Sequence, residues 1–354
     1  MLGLVDALLR IDRDNDYLVF YNDPCHMGRF PRARELVLAG KSPAARLVRE
    51  HILLPQACAR ERVDLLHCPK SAIPFLSPCP VVVTLHDLIP LMHPETEKLA
   101  ARLYWRLQIP IAARRSGYII TDSEHARHEI IENFRVPPEK IRAIMLGFNP
   151  SMLEPRDPAA GAAIRERYGL PEGYILYVGT IQPRKNLDTL IEAFSSIRNE
   201  KGYPGKLVIV GRKGWLYDRL FARIAELGLR DEVIFTGFVP DEELPFIYDG
   251  ARLFVYLSLF EGFGLPPLEA MACGVPVITS DTTSLPEVVG DAGITVPPTD
   301  LDRVREAICR VLGDDTLAAS MVERGRARAR RFSWAAAAGE TLEIYRQTGR
   351  KNDK

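Results

Sequence analysis

Glu261 and Glu269 stand eight residues apart in the segment Ser258-Leu-Phe-Glu-Gly-Phe-Gly-Leu-Pro-Pro-Leu-Glu-Ala-Met-Ala-Cys-Gly274. Gly262 and Gly264 between them let a backbone come close to a ligand. Pro266 and Pro267 suit the first turn of a helix, where a missing N–H is no loss, and Gly274 suits its end. A glycine-rich loop feeding a helix N-terminus offers free N–H groups and the positive end of a dipole, which makes an anion site. Two carboxylates beside such a site are poor phosphate ligands. They are good acceptors for hydroxyls, such as the diols of a ribose and of a sugar. The local chemistry is that of a nucleotide-sugar site. On Glu269 alone, a carboxylate in a helix's first turn is the simpler reading. With the glycines and Glu261 in register, the site is the better one.

The elements that would position this segment alternate strand and helix. Apolar runs that read as strands are Tyr17 to Tyr21, Asp64 to His67, Val81 to Leu85 and Tyr118 to Thr121 in the first half. The second half has Tyr174 to Val178, Lys206 to Val210, Val233 to Thr236, Leu253 to Tyr256 and Val275 to Ser280. Near-continuous apolar strands separated by amphipathic stretches indicate α/β architecture with parallel sheets covered on both faces. A break rich in proline and glycine falls around Gly147 to Pro171 and reads as a linker. Two doubly wound domains follow, residues 1–148 and 149–330, with 331–354 as a helix returning to the first domain plus a tail. In such folds ligands bind beyond the carboxyl ends of the strands, here at a cleft between the domains.

Composition narrows the function. The 354 residues carry 46 Lys+Arg and 46 Asp+Glu, with 47% hydrophobic and 26% charged residues, which excludes disorder and argues against a dedicated nucleic-acid binder. No apolar run is long enough to span a bilayer. The six cysteines contain no C-x-x-C pair, so a reducing cytoplasm is the simpler setting than a disulfide framework. Ala39 to Pro43 lacks the leading glycine of a phosphate loop, because Glu35 stands there. Pro267 occupies the third glycine position of a dinucleotide fingerprint. Asp12-Arg13-Asp14 has D-x-D spacing but lies in a polar turn, and His125 and His128 lack zinc-site partners, so no metal is expected.

The Glu261-to-Glu269 spacing resembles the E-x7-E motif of retaining glycosyltransferases of the GT-B fold. Val178 to Phe194, VIVGRKGW, the stretch Phe235 to Gly293, VVVTLHDLIPLMHPE, ITDSEHARHEI and RFSWAAAAGETLEIYR are similar to the same family. The chain is identified as resembling glycosyltransferase family four, in a branch with many mannosyltransferases of bacterial polysaccharide assembly. The fold implied is GT-B, two Rossmann-like domains.

The resemblance implies roles residue by residue. Lys185, with Arg184 beside it, meets the donor phosphates. Basic residues at a helix start oppose its dipole, which favours a functional reason for them. Thr180 follows Gly179 where many relatives carry Arg, which leaves Lys185 and Arg184 more of the charge. Glu269 binds ribose hydroxyls and Glu261 faces the transferred sugar, with backbone amides of Gly262, Phe263, Gly264 and Leu265 nearby. Gly211 and Arg212 lie near the nucleotide's path, and Phe238 and Val239 near the base. His86 matches a family histidine over the transferred sugar. His67, Asp87 and Ser123 are acceptor-side candidates, although for Ser123 a helix cap is the preferred reading.

The implied reaction is retaining, metal-independent transfer of a sugar from a nucleoside diphosphate donor, GDP-mannose first, to a saccharide or lipid-linked acceptor, with no cofactor. The alternatives are a GT-B epimerase or phosphorylase, or a non-catalytic truncated homologue. The chain lacks an opening strand and glycine-rich turn, so the first domain is expected to miss its first strand. Residues 1–150 carry 20 basic and 17 acidic side chains, a charge of +3, and the remaining 26 and 29 give −3. With Arg102, Arg106, Arg114, Arg115, Tyr104 and Trp105 on one stretch, this is compatible with peripheral membrane contact from the cytoplasm, at the inner face of the cytoplasmic membrane. Solvated helix faces with a buried aromatic pair explain it equally well.

Overall fold

Runs of Val, Ile, Leu and Tyr become parallel strands in the computed structural model, which describes residues 2–40, 42–94, 99–212, 214 and 218–349. Glu95, Lys213, Trp215 and the tail 350–354, quoted or assigned above, lie outside the described residues. The chain divides into two compact units, one of Met1–Gly147 with Ser333–Lys354 and one of Phe148–Phe332.

The first unit holds β1 (Leu18–Tyr21), β2 (Arg34–Val37), β3 (Leu66–Cys68), β4 (Val81–Thr84), β5 (Tyr118–Thr121) and β6 (Ile141–Ala143). They form two parallel sheets, β1-β2 and β3-β4-β5-β6, where one sheet was expected. Val82 and Ile120 pack against the helices Leu2–Ile11 and Trp334–Gly349. Val81, Val83 and Ile119 face the opposite core with Cys58 and Ile109. Neighbouring residues therefore enter different cores, which is why these strands are apolar at every position.

The second unit holds β7 (Tyr174–Val178), β8 (Leu207–Val210), β9 (Val233–Gly237), β10 (Ala251–Tyr256), β11 (Val277–Ser280) and β12 (Ile294–Val296). All pairs are parallel, in the order β12-β11-β10-β7-β8-β9. The chain steps outward from β7 to β9, returns to the centre at β10, and steps out the other way. Counted from β7 this is the doubly wound order 3-2-1-4-5-6, whose switch point lies between β7 and β10.

The stretch read as a linker is not one. It holds a 3-10 turn at Pro150–Leu153 and the helix Pro158–Arg167, which packs on the helix Leu244–Asp249. Pro158 starts that helix, and Asp157 caps it by accepting from the Ala159 N–H. Its prolines mark a helix start, where the ring's fixed φ is suitable.

Candidate active site

The two loops at the switch point are bonded to each other. After β7 the chain passes Gly179 and Thr180, makes a 3-10 turn at Pro183–Lys185, and enters the helix Leu187–Lys201 through Asn186. After β10 it runs from Leu257 to Gly264 and enters the helix Leu265–Cys273, with Pro266 and Pro267 in the first turn and Gly274 in the left-handed conformation at its end. Gly264, at φ +116°, stands 2.6 Å from Leu285 at the place a Cβ would take. Leu259 N–H donates to the Arg184 carbonyl (2.8 Å), and the Arg184 guanidinium donates to the Phe260 carbonyl (2.7 Å).

Charge fills this junction. Lys185 is 6% exposed, and its Nζ pairs with Glu261 and donates to Tyr256 Oη (2.6 Å). Tyr256 Oη donates to Glu261 Oε1 (2.9 Å), and Arg184 lies 3.1 Å from Glu261 Oε2. Burial by itself would raise the Glu261 carboxyl, but Lys185 and Arg184 outweigh it and hold it below the usual carboxylate range. The two cations that oppose the following helix dipole are thus compensated by a carboxylate from the neighbouring loop. The Tyr256 ring also stacks on Tyr177, at 5.6 Å between centroids.

Buried hydroxyls hold the β10 loop. Ser284 Oγ reaches the carbonyls of Glu261 (3.0 Å) and Phe263 (2.7 Å), and Ser258 Oγ reaches that of Arg184 (3.1 Å). Ser280 donates to the Ser258 carbonyl. Glu269, in the second turn of its helix, accepts from Tyr248 Oη (3.2 Å), and burial pushes its carboxyl up to about 7.

Gly179, Gly211 and Gly237 end three adjacent strands. Gly179 N–H donates to the Val210 carbonyl and Gly211 N–H to the Gly237 carbonyl. Gly211 has φ +145°, and any Cβ there would run into the Gly179 carbonyl. Arg212 lies 4.4 Å over the ring of Phe238, which is 55% exposed. Val239 and Phe263 are buried, so their side chains belong to the core. Phe263 packs edge-on against Phe332. A ligand would meet these two residues only through their backbone.

In the first unit, His86 Nδ1 lies 2.6 Å from Asp122 Oδ2 and Nε2 lies 2.9 Å from the Pro69 carbonyl. A carbonyl and a carboxylate both accept, so this pairing favours a proton on each ring nitrogen, that is, the imidazolium. Burial alone would lower its pKa, but Asp122 outweighs this and raises it. His67 is the opposite case. It sits inside β3, not at its end, with Nδ1 2.6 Å from Tyr345 Oη and Nε2 2.8 Å from Thr84 Oγ1. Burial pushes it down to about 4, so it is neutral and internally bonded. Asp87 Oδ1 accepts from Ile89 N–H, capping its own turn. Ser123 is buried and caps the helix Glu124–Phe134 through Ala126 N–H. Asp12 accepts from Tyr17, Asn15 and Asp14 N–H, which makes the D-x-D stretch a closed turn.

The fold thus brings Lys185, Arg184 and Glu261 together, with Gly264 and the following helix start in the same loop, and sets Glu269 one turn further on. Sequence reasoning missed Tyr256, Tyr248 and Asp122. Asp122 directly follows β5, so the strand-end rule reaches it. The two tyrosines carry no such signal.

Comparison with known proteins identifies the family. Residues 162–328 match the family model of glycosyl transferases group 1, and residues 9–151 match that of glycosyltransferase family 4. The chain is 39% identical over 267 residues to O-antigen chain mannosyltransferase B of Escherichia coli, covering 75% of this chain and 70% of that one. It is 33% identical over 283 residues to the serotype-specific mannosyltransferase WbdA of Escherichia coli, covering 78% of this chain and 34% of that one. Sucrose-phosphate synthase from Thermosynechococcus elongatus has a similar structure, with TM-score 0.77, 25% identity, and coverage of 98% and 91%. Anabaena HepE, solved in complex with UDP, gives TM-score 0.76 at 19% identity over 98% and 96% of the two chains.

Proposed function

The chain belongs to the family 4 glycosyltransferases, with the group 1 domain in its second unit, and from that premise we propose that it transfers mannose from GDP-mannose to a saccharide or lipid-linked saccharide with retention of configuration. The observation that carries this is the junction at the β7/β10 switch point, where Lys185 and Arg184 converge on Glu261 beside the start of a proline-led helix. An entering diphosphate competes with the Glu261 carboxylate for both cations and accepts from the N–H groups of the loop. The C1–O bond to the diphosphate breaks as the acceptor oxygen bonds C1 on the same face, and the acceptor proton passes to the leaving diphosphate. Lys185 and Arg184 offset the charge that develops there, so no divalent ion is required. The UDP complex of HepE supports a nucleoside diphosphate donor for this fold, and the two mannosyltransferase relatives support mannose.

Glu269 accepts the ribose hydroxyls, and Arg212 and Phe238 flank the base. His86 serves the sugar as a cationic donor, displacing the Pro69 carbonyl as its partner. The acceptor is delivered at the inner face of the cytoplasmic membrane by peripheral contact. The test is a donor screen of the purified chain, with and without EDTA, against a lipid-linked oligosaccharide pool, reading the anomer by NMR. Transfer from GDP-mannose giving the α-anomer is expected. Transfer only from another donor, an inverted anomer, or loss of transfer with EDTA overturns the matching part.

A further inference from the structure

The large apolar side chains left in solvent are concentrated on one part of the first unit. Of the fifteen such residues among those described, ten fall within residues 47–107. The helix Leu99–Arg115 carries Leu99, Leu103 and Leu107, which are 71%, 63% and 54% exposed. Spaced by four, they share one face over about two turns. The opposite face is also apolar, with Ile109, Ala112 and Ala113 fully buried. A helix apolar on both faces has one face that water does not favour.

Neighbouring elements extend the stripe. Arg46 lies 4.1 Å over the Tyr104 ring, and Tyr104 Oη donates to Glu50 (2.5 Å). The Gln108 amide meets His51 (3.0 Å), and His51 stacks on Phe75 at 3.8 Å. These contacts join the segment carrying exposed Leu47, Val48 and Ile52, and the loop carrying Leu76 at 74% exposure, to the leucine helix. The leucine helix itself carries charge of one sign. The helix holds Arg102, Arg106, Arg114 and Arg115 and no carboxylate.

We infer that this face docks on the surface of an anionic phospholipid bilayer, with the leucines among the acyl chains and the arginines at the headgroup phosphates. Charge complementarity selects this occupant. Among the described residues the stripe is bordered mainly by guanidinium groups, with the Glu50 carboxylate held by Arg46 and Tyr104, and this matches apolar chains beneath a phosphate layer. No described helix is long and apolar enough to cross a membrane, so the contact is lateral. The inference gives a surface to the membrane contact of the proposed function, and lipid binding is measured without any transfer.

The experiment is flotation of the full chain with vesicles of phosphatidylcholine alone and of phosphatidylcholine with phosphatidylglycerol. The parent is expected to float with the anionic vesicles only. Leu103→Ser/Leu107→Ser is expected to bind at least ~10-fold more weakly, as is Arg106→Glu, each melting like the parent because the residues are exposed. A parent that stays in solution, floats equally on neutral vesicles, or keeps its binding in the leucine variant overturns the inference. So does a parent that does not float but dimerises through these leucines in the ultracentrifuge. A chain that transfers sugar to a soluble acceptor but does not float refutes only the docking surface. One that floats but transfers nothing refutes only the activity.

Discussion

Replacing Lys185 with alanine separates two roles that one ammonium group plays at the β7/β10 junction. In the structure Nζ is buried between Tyr256 and Glu261. Its removal leaves Glu261 with Arg184 at 3.1 Å as the remaining cation. Breaking a buried pair costs about 3–5 kcal/mol, and the second cation reduces this, so a stability loss of about 2 kcal/mol is expected. The depressed Glu261 carboxyl stabilises the fold above its ordinary titration range, and this is lost as pH falls through its folded value. In Lys185→Ala that loss sets in at higher pH. For transfer, one of two cations on the leaving diphosphate is missing, which is worth about 3–4 kcal/mol, or roughly 100- to 1000-fold in kcat. The assay is transfer from labelled GDP-mannose at saturating acceptor, run beside urea melts of the parent, Lys185→Ala and Lys185→Ala/Glu261→Gln. The double variant removes the carboxylate left with one cation and should regain part of the stability without regaining rate. Parent-like kcat in the single variant, or recovery of kcat in the double variant, refutes a role for Lys185 at the leaving group.

Glu269→Ala is expected to raise the donor KM by at least about tenfold with kcat changed far less, as loss of uniform binding does; an unchanged KM refutes the ribose contact. Because burial raises Glu269 to about 7, its contribution to stability is full at low pH and is lost as pH rises through that value. Glu269→Gln should therefore melt higher than the parent at pH 8 and like it at pH 5, and equal melts at both pH values would refute the buried-carboxyl account. His86, raised by Asp122, should titrate above the ordinary histidine value by NMR, and Asp122→Asn should bring it down; a midpoint unmoved by the substitution counts against the imidazolium. Gly211→Ala drives a methyl group into the Gly179 carbonyl and should lower kcat about 100-fold through misplacement of the β7 loop, with parent-like rate as the refuting result.

The sequence reading reached nine of the twelve described strands, the margin strands β1, β3 and β9 among them, and missed β2, β6 and β12. β7, β8, β10 and β11 are buried on both faces, so their apolar runs are continuous. β2, β6 and β12 are short end strands with polar residues such as Arg34, Glu35, Arg142 and Thr295, and their pattern carries no period. The site divides in the same way. Lys185, Glu261 and Glu269 were legible because glycines and prolines around them mark loop and helix start. Their partners were not, because Tyr256 and Tyr248 meet the carboxylates through tertiary packing. Pairing of Glu261 with Lys185 resolves the dipole conflict that drew attention to the lysine. No spacing rule connects two residues 76 positions apart.

The helix Trp334–Gly349 supplies Ala337, Ala338, Leu342 and Ile344 to the same core as Leu4, Leu8, Val82 and Ile120. Trp334 also fills the space beside Gly3 and Gly147, where a side chain at either glycine would strike it. Leu4 and Leu8 thus need residues from beyond Phe332 before their core can close. The unit from Phe148 to Phe332 is contiguous and has no such wait. All of the Phe148–Phe332 unit is therefore synthesised before the last part of the amino-terminal unit's core. A nascent chain halted at Phe332 would hold every residue of the second unit and lack the helix that completes the core of the first.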